Sequence, residues 1–292
     1  MLSYISGIIT FSLIYVIAAV GLAIFTGFTG LFSLGHAAFF AIGAYTAGIL
    51  TYFYDVNFWL ALASGGAMSG LVGILIGYPT LKAKLRSDYF AIATLGFGEA
   101  VRVLLENLEI TQGARGLPGI PAETTLPVAA GVTVIVLWVA RNFVHSRYGR
   151  AAVAVREDFV AAEMMGINLF QVRLLSLVFS AICGGVAGGL FAHYVSFIQP
   201  SMFTSYLSTQ LTASVVAGGM GSITGPAVAT VIFIAIPEVL RVASMWRLVA
   251  YGLLLVAIMV FRPQGLLGFR ELSWAGVKRW LTLGKAAGQG RG

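Results

Sequence analysis

Charge is what this sequence has least of. Asp, Glu, Lys and Arg make up 10% of its 292 residues, where a water-soluble domain carries about a quarter. Too few polar side chains remain to cover a water-facing exterior, which excludes an ordinary soluble globule. A single cysteine, Cys183, excludes an internal disulfide and a Cys-based metal site. It lies in an apolar run and reads as a small packing residue. The three histidines, His36, His145 and His193, have no metal-ligand spacing. No G-x-x-x-x-G-K-[ST] loop is present, so no ATP site of that kind belongs to this chain. Ser222 lacks the G-x-S-x-G context because position 220 is Met, and no nucleophile–base set stands out. A membrane enzyme therefore has no catalytic residue and no metal site to rest on. The formal net charge of +7 is dispersed between apolar runs, without the basic block or stripe of a nucleic-acid binder.

What is abundant is apolar length. Hydrophobic residues reach 59% and the mean hydropathy is +0.92. Both point to a chain solvated by lipid. The 36 glycines would weaken soluble helices. In a membrane bundle they allow close helix approach and broken helices beside a cavity. Apolar runs fall at 5–25, 31–52, 58–78, 89–105, 126–141, 174–194, 206–217, 227–239 and 248–261. The first has no basic segment before it and exceeds a signal-peptide core, so it reads as a membrane helix. The runs at 89–105, 206–217 and 227–239 are short or interrupted. The last two are separated by Gly218-Gly219-Met220-Gly221-Ser222-Ile223-Thr224-Gly225-Pro226 and read either as short spans or as a re-entrant pair.

Basic residues fall into three regions: Lys82, Lys84 and Arg86; Arg141, Arg147, Arg150, Arg156 and Arg173; and the C-terminal segment from Arg262 to Arg291. With nine crossings all three lie on one side, which by the Lys/Arg bias is the cytoplasm. The C-terminus is then inside and the N-terminus outside. The expected fold is all-α: a polytopic transmembrane bundle of about 8–10 helices, some short or broken. Residues 1–268 form the membrane domain, 142–172 a cytoplasmic loop, and 269–292 a cytoplasmic tail.

Residues 153–165 in that loop read as one short helix, with Gly166 as its C-terminal stop. Val155, Phe159 and Ala162 share a face by spacing, and Arg156, Glu157, Asp158 and Glu163 add charge. Such a helix suits docking on another protein; a solvated loop helix without a partner is the plainer alternative.

The stretch Arg147-Tyr148-Gly149-Arg150-Ala151, followed by Val155-Arg156-Glu157-Asp158 and Ala161-Ala162-Glu163-Met164-Met165-Gly166-Ile167-Asn168, resembles the coupling loop of branched-chain amino acid ABC transporter permeases of the LivM-like group. Further stretches are similar in the same order: Gly30 to Tyr45, Asp88 to Glu99, Thr111 to Leu117 with Gln112 in place of the usual Gly, Gly218 to Pro226, and Arg262 to Gly268. The resemblance implies an ABC importer permease architecture. It implies a second related permease, two ATPase subunits that hold ATP and Mg, and a periplasmic or extracellular substrate-binding protein. No cofactor would be bound by this chain, which would be a non-catalytic subunit in the inner membrane of a bacterium or archaeon. Arg147, Gly149, Arg150, Arg156, Glu157, Asp158, Ala162, Glu163 and Gly166 would meet the ATPase.

Candidate residues of the translocation path are Ser33, Gly35, His36, Tyr45, Tyr89, Thr94, Phe97, Glu99, Gly219 and Ser222. Glycines at 35 and 43 loosen the segment, and an unwound turn would offer backbone groups to a zwitterion; close packing explains the same glycines. Glu99 and Arg102 stand three apart and can pair, as a pathway lining or as a structural ion pair at a permease interface. A stand-alone secondary transporter or channel for small polar solutes is the competing function. It could recruit Glu99 and His36 for ion coupling but leaves the coupling loop unused.

Overall fold

The computed structural model describes residues 2–239, 247–262, 265–266 and 268, so the expected tail at 269–292 lies outside the described residues. The helices run in chain order: α1 (Leu2–Leu22), α2 (His36–Tyr54), α3 (Phe58–Lys82), α4 (Ser87–Asn107), α5 (Leu126–His145), α6 (Arg147–Glu157), α7 (Phe159–Met164), α8 (Leu169–Val195), α9 (Ser205–Gly218), α10 (Thr224–Val239) and α11 (Arg247–Phe261). Among the described residues, five stretches are long and apolar enough to cross a membrane: Tyr4–Gly27, His36–Tyr54, Phe58–Lys82, Leu126–His145 and Leu169–Val195. The charges on α4 lower its apolarity. At 14 and 16 residues, α9 and α10 rise only about 21 and 24 Å against a hydrocarbon core of about 30 Å.

α8 is the central post, packed by α1, α2 and α3. Small residues make that possible. A Cβ at Gly188 would strike the Phe40 carbonyl oxygen, and one at Gly43 would strike the backbone of Gly185. Lipid is as apolar as leucine and gives helices no hydrophobic reason to associate, so close backbone contact of this kind supplies the packing energy instead. Two histidine bonds pin α2 to α8. His36 Nε2 lies 2.6 Å from Ser180 Oγ, and His193 Nε2 lies 3.0 Å from Thr51 Oγ1. The two bonds follow the same order along both helices, so α2 and α8 are parallel. Away from this core, Leu60, Leu71 and Leu75 on α3 and Val134, Ile135 and Trp138 on α5 are exposed. These outward apolar faces are what a lipid-solvated bundle requires.

The bundle has two unlike ends. One carries α6 and α7, and several segments converge there. Arg156 Nη1 donates to Gly27 O at 2.9 Å, Gly27 abuts the Met220 carbonyl, and Leu266 N donates to Ala217 O. The opposite end is capped by a two-residue antiparallel ladder, Leu117–Pro118 with Phe197–Ile198. Its approach takes a left-handed turn at Gln112 (φ 58°), a conformation that favours Gly.

Three expectations are corrected. The second run was expected to be helical from residue 31, yet α2 starts at His36 and residues 30–35 are unwound. Gly30 (φ 74°) turns the chain there. The helix expected over 153–165 is two helices. Asp158 takes extended angles, φ −153° and ψ 107°, and its Oδ1 accepts Val160 N at 2.8 Å and Ala161 N at 3.0 Å, starting a new helix. That break also separates the predicted face: Val155 and Ala162 are buried, while Phe159 is 56% exposed.

Candidate functional site

The first site is the α6–α7 platform. Ser146 Oγ accepts the Tyr148 and Gly149 amides and opens α6. Val155 and Ala162 pack with Ile24 and Phe28 beyond α1, Ala140 of α5 and Val172 of α8. Gly149 has backbone of Val144 against it, where no side chain fits. Gly166 (φ 81°) closes α7, with Ile167 N donating to Ala162 O. This is the left-handed stop that glycine serves best. Nothing lies within 4 Å of a Cβ built there, so it is φ, not crowding, that demands glycine.

The sequence-predicted coupling residues divide. Gly149, Ala162 and most of Arg156 face the bundle and hold the platform in place. Arg147, Arg150, Glu157, Asp158, Glu163 and Gly166 are exposed. Asp158 serves as a helix cap, and Arg150 is held by the His145 carbonyl at 2.7 Å. The most exposed apolar side chains of the platform are Met164 (84%) and Met165 (82%), beside Phe159 and Val160. In the sequence the two methionines stood within the Ala161–Asn168 stretch but not among the residues expected to meet the ATPase. The signal for them was their place immediately before a helix-stopping glycine, outside the buried spacing of Val155 and Ala162.

The second site is the unwound segment before α2. Its backbone groups are satisfied by side chains from distant helices: Phe32 N donates to Ser87 Oγ at 3.2 Å, Leu34 N to Thr94 Oγ1 at 3.1 Å, and Ala37 N to Ser208 Oγ at 2.8 Å. Ser33 O accepts from Thr212 Oγ1 at 3.3 Å. Irregular backbone inside a membrane bundle requires such partners. His36 is fully buried, with Nδ1 3.1 Å from Ser33 Oγ and Nε2 on Ser180. Gly35 lies against the Thr94 carbonyl. Ser33, Gly35, His36 and Thr94 thus form one polar seam between α2, α4, α8 and α9. Its partners Ser180, Ser208 and Thr212, far off in sequence, carried no signal of their own.

The remaining path candidates lie apart from the seam. Tyr45 is buried, its ring edge-on to Phe203 and its hydroxyl without a hydrogen-bond partner. Tyr89 points outward, while Phe97 is half-buried with its ring 5.7 Å from that of Phe39. Glu99 pairs with Arg102 at 2.8 Å, and Arg102 also binds Glu106, a partner one turn further along α4. Gly219 and Ser222 form the turn of the α9–α10 hairpin. Ser222 Oγ accepts Gly225 N at 3.2 Å, and Gly219 (φ 110°) lies against Gly265. The hairpin returns beside α1.

Several apolar helices of spanning length, a centrally packed post, an unwound polar seam and a helical platform at one end are consistent with a multi-pass membrane permease. Comparison with known proteins agrees. The family model described as branched-chain amino acid transport system / permease component matches residues 4–261. The chain is 36% identical to the high-affinity branched-chain amino acid transport system permease protein LivM of Salmonella typhimurium and, equally, of Escherichia coli K12. Each match covers 89% of this chain and 69% of the relative. It is 25% identical to the permease protein LivH of Escherichia coli K12, over 90% of this chain and 94% of that protein. No solved structure matches. The chain belongs to the branched-chain amino acid transport permease family.

Proposed function

We propose that this chain is the membrane-spanning subunit of an ATP-driven importer of branched-chain or related amino acids. The observation that carries the reading is the platform: a short helix pair fixed to the bundle by buried contacts and presenting Phe159, Val160, Met164 and Met165 outward. A contiguous exposed apolar patch on a helix that is not a membrane span marks a protein docking surface. In this reading the platform end is cytoplasmic, and the platform enters a cleft of an ATPase subunit. Two such subunits bind ATP and Mg. A second, related permease completes the translocation path, and a binding protein delivers substrate from the other side. Closure of the ATPase pair moves the platform, and the Arg156–Gly27 link passes that movement to α1. The polar seam from Ser33 to His36, with Thr94, then changes partners between the two states of the path. The substrate class is supported by the names of the relatives; choice within it belongs to the binding protein.

The test is a pull-down of the tagged chain from mild detergent, with partners identified by mass spectrometry. Recovery of an ATPase and a second permease is the expected result. Recovery of the chain alone, from a preparation that still transports, would establish a stand-alone carrier instead.

A further inference from the structure

A cavity of about 470 Å³ lies between the α3–α4 connection, residues 29–31 and the platform. Five cationic side chains line it, Lys82, Lys84, Arg86, Arg156 and Arg173, against one carboxylate, Glu163. That carboxylate is already engaged by Lys84 at 3.5 Å. Lys82 lies over the Tyr78 ring and donates to its hydroxyl, and Arg156 holds Glu157 and the Gly27 carbonyl. Among the described residues, neither Arg86 nor Arg173 has an ion-pair partner, and the Nε of Arg173 is buried without a hydrogen-bond acceptor. A buried guanidinium N–H left without an acceptor is costly. The start of α4, at Arg86 and Ser87, adds the partial positive charge of a helix N-terminus; Asp88 in that turn is outside the lining.

We propose that this cavity binds a phosphate-bearing anion, with Arg173 and Arg86 as its principal donors. A guanidinium fork matches two phosphate oxygens at once, and an anion at Arg173 would give its guanidinium the charge partner it lacks among the described residues. The surroundings favour a lipid headgroup as the source. The exposed apolar face of α3, with Leu71, Leu75 and Tyr78, leads away from the cavity along the bundle and offers acyl chains a surface to follow. Basic pockets at helix ends on the cytoplasmic side suit anionic headgroups. A bound headgroup would tie the α3–α4 connection to the platform. The proposal shares with the proposed function only the cytoplasmic placement of this end, and it does not require an ATPase to dock there.

The experiment uses the purified full-length chain, stripped of lipid in neutral detergent. Binding of phosphatidylglycerol and of phosphatidylcholine is measured by native mass spectrometry, and thermal unfolding is followed with each lipid and with inorganic phosphate. The expected result is preferential binding of phosphatidylglycerol, with an affinity loss of about tenfold for each of Arg173→Gln and Arg86→Gln. Stabilisation by inorganic phosphate equal to that by phosphatidylglycerol supports the anion site and assigns it to free phosphate. The wild-type lipid comparison decides even if a variant misfolds: equal binding of the two lipids, with no effect of phosphate, overturns the proposal. So does a folded double variant that keeps its phosphatidylglycerol affinity, or one whose only defect is loss of a co-purifying protein, which would give the site to an acidic protein segment.

Discussion

Arg156→Ala removes the hydrogen bond that ties the platform to Gly27, just beyond α1, while leaving its buried apolar contacts and its outer surface in place. The side chain is 18% exposed, and its Nη1 reaches the Gly27 carbonyl across 129 positions of sequence at 2.9 Å. A charged donor on a mostly buried carbonyl contributes about 1.5–3 kcal/mol. The neighbouring pair with Glu157 involves a carboxylate that is 67% exposed and adds well under about 1 kcal/mol. A working loss of about 2 kcal/mol shifts the docked-to-loosened ratio about 30-fold. Because Arg156 faces inward, the ATPase should still bind. The assay is substrate uptake and ATP hydrolysis by the complete transporter in proteoliposomes. Hydrolysis should persist while uptake per ATP falls at least about tenfold, and Arg156→Lys should fall between. Unchanged uptake per ATP in Arg156→Ala would refute the claim that this link transmits movement to the bundle.

Met164→Asp with Met165→Asp should abolish co-purification of the ATPase yet leave the thermal stability of the isolated chain within about 0.5 kcal/mol, since both side chains are exposed. His36→Ala removes the link between Ser33 and Ser180 inside the seam and should destabilise the chain by about 3 kcal/mol, read as a lower unfolding midpoint in detergent. Gly166→Val meets open space but forces a branched residue to φ 81°; a cost of about 1–2 kcal/mol should fray α7 and weaken ATPase binding, and Gly166→Asn should restore most of it.

The membrane helices were legible because lipid imposes a coarse demand. An apolar run must be about 20 residues long, and α1, α2, α3, α5 and α8 announce themselves by that alone. The α9–α10 hairpin was legible as two short apolar runs, 206–217 and 227–239, around a glycine-rich interruption, but helices this short do not let composition distinguish a span from a re-entrant pair. The break at Asp158 was hidden in good helix-forming sequence. An Asp inside such a run reads as surface charge until its carboxylate is seen on the Val160 and Ala161 amides. The seam shows the deeper limit. Ser33, His36 and Thr94 carried a signal as polar residues in apolar surroundings, whereas Ser180, Ser208 and Thr212 are the hydroxyls any membrane helix uses to bond its own preceding turn. Only their position across the bundle makes them partners.

The proposed docking of α7 on an ATPase subunit is tested most directly by proximity. Cys183 is buried, so a single exposed cysteine at Met164→Cys can be cross-linked by a short thiol-reactive reagent in the assembled transporter. The expected result is a covalent product with an ATPase subunit from position 164. None is expected from Leu60→Cys, which is exposed at the start of α3, away from the platform. An assembled, ATP-hydrolysing transporter that gives no ATPase product from position 164 would contradict the proposed docking.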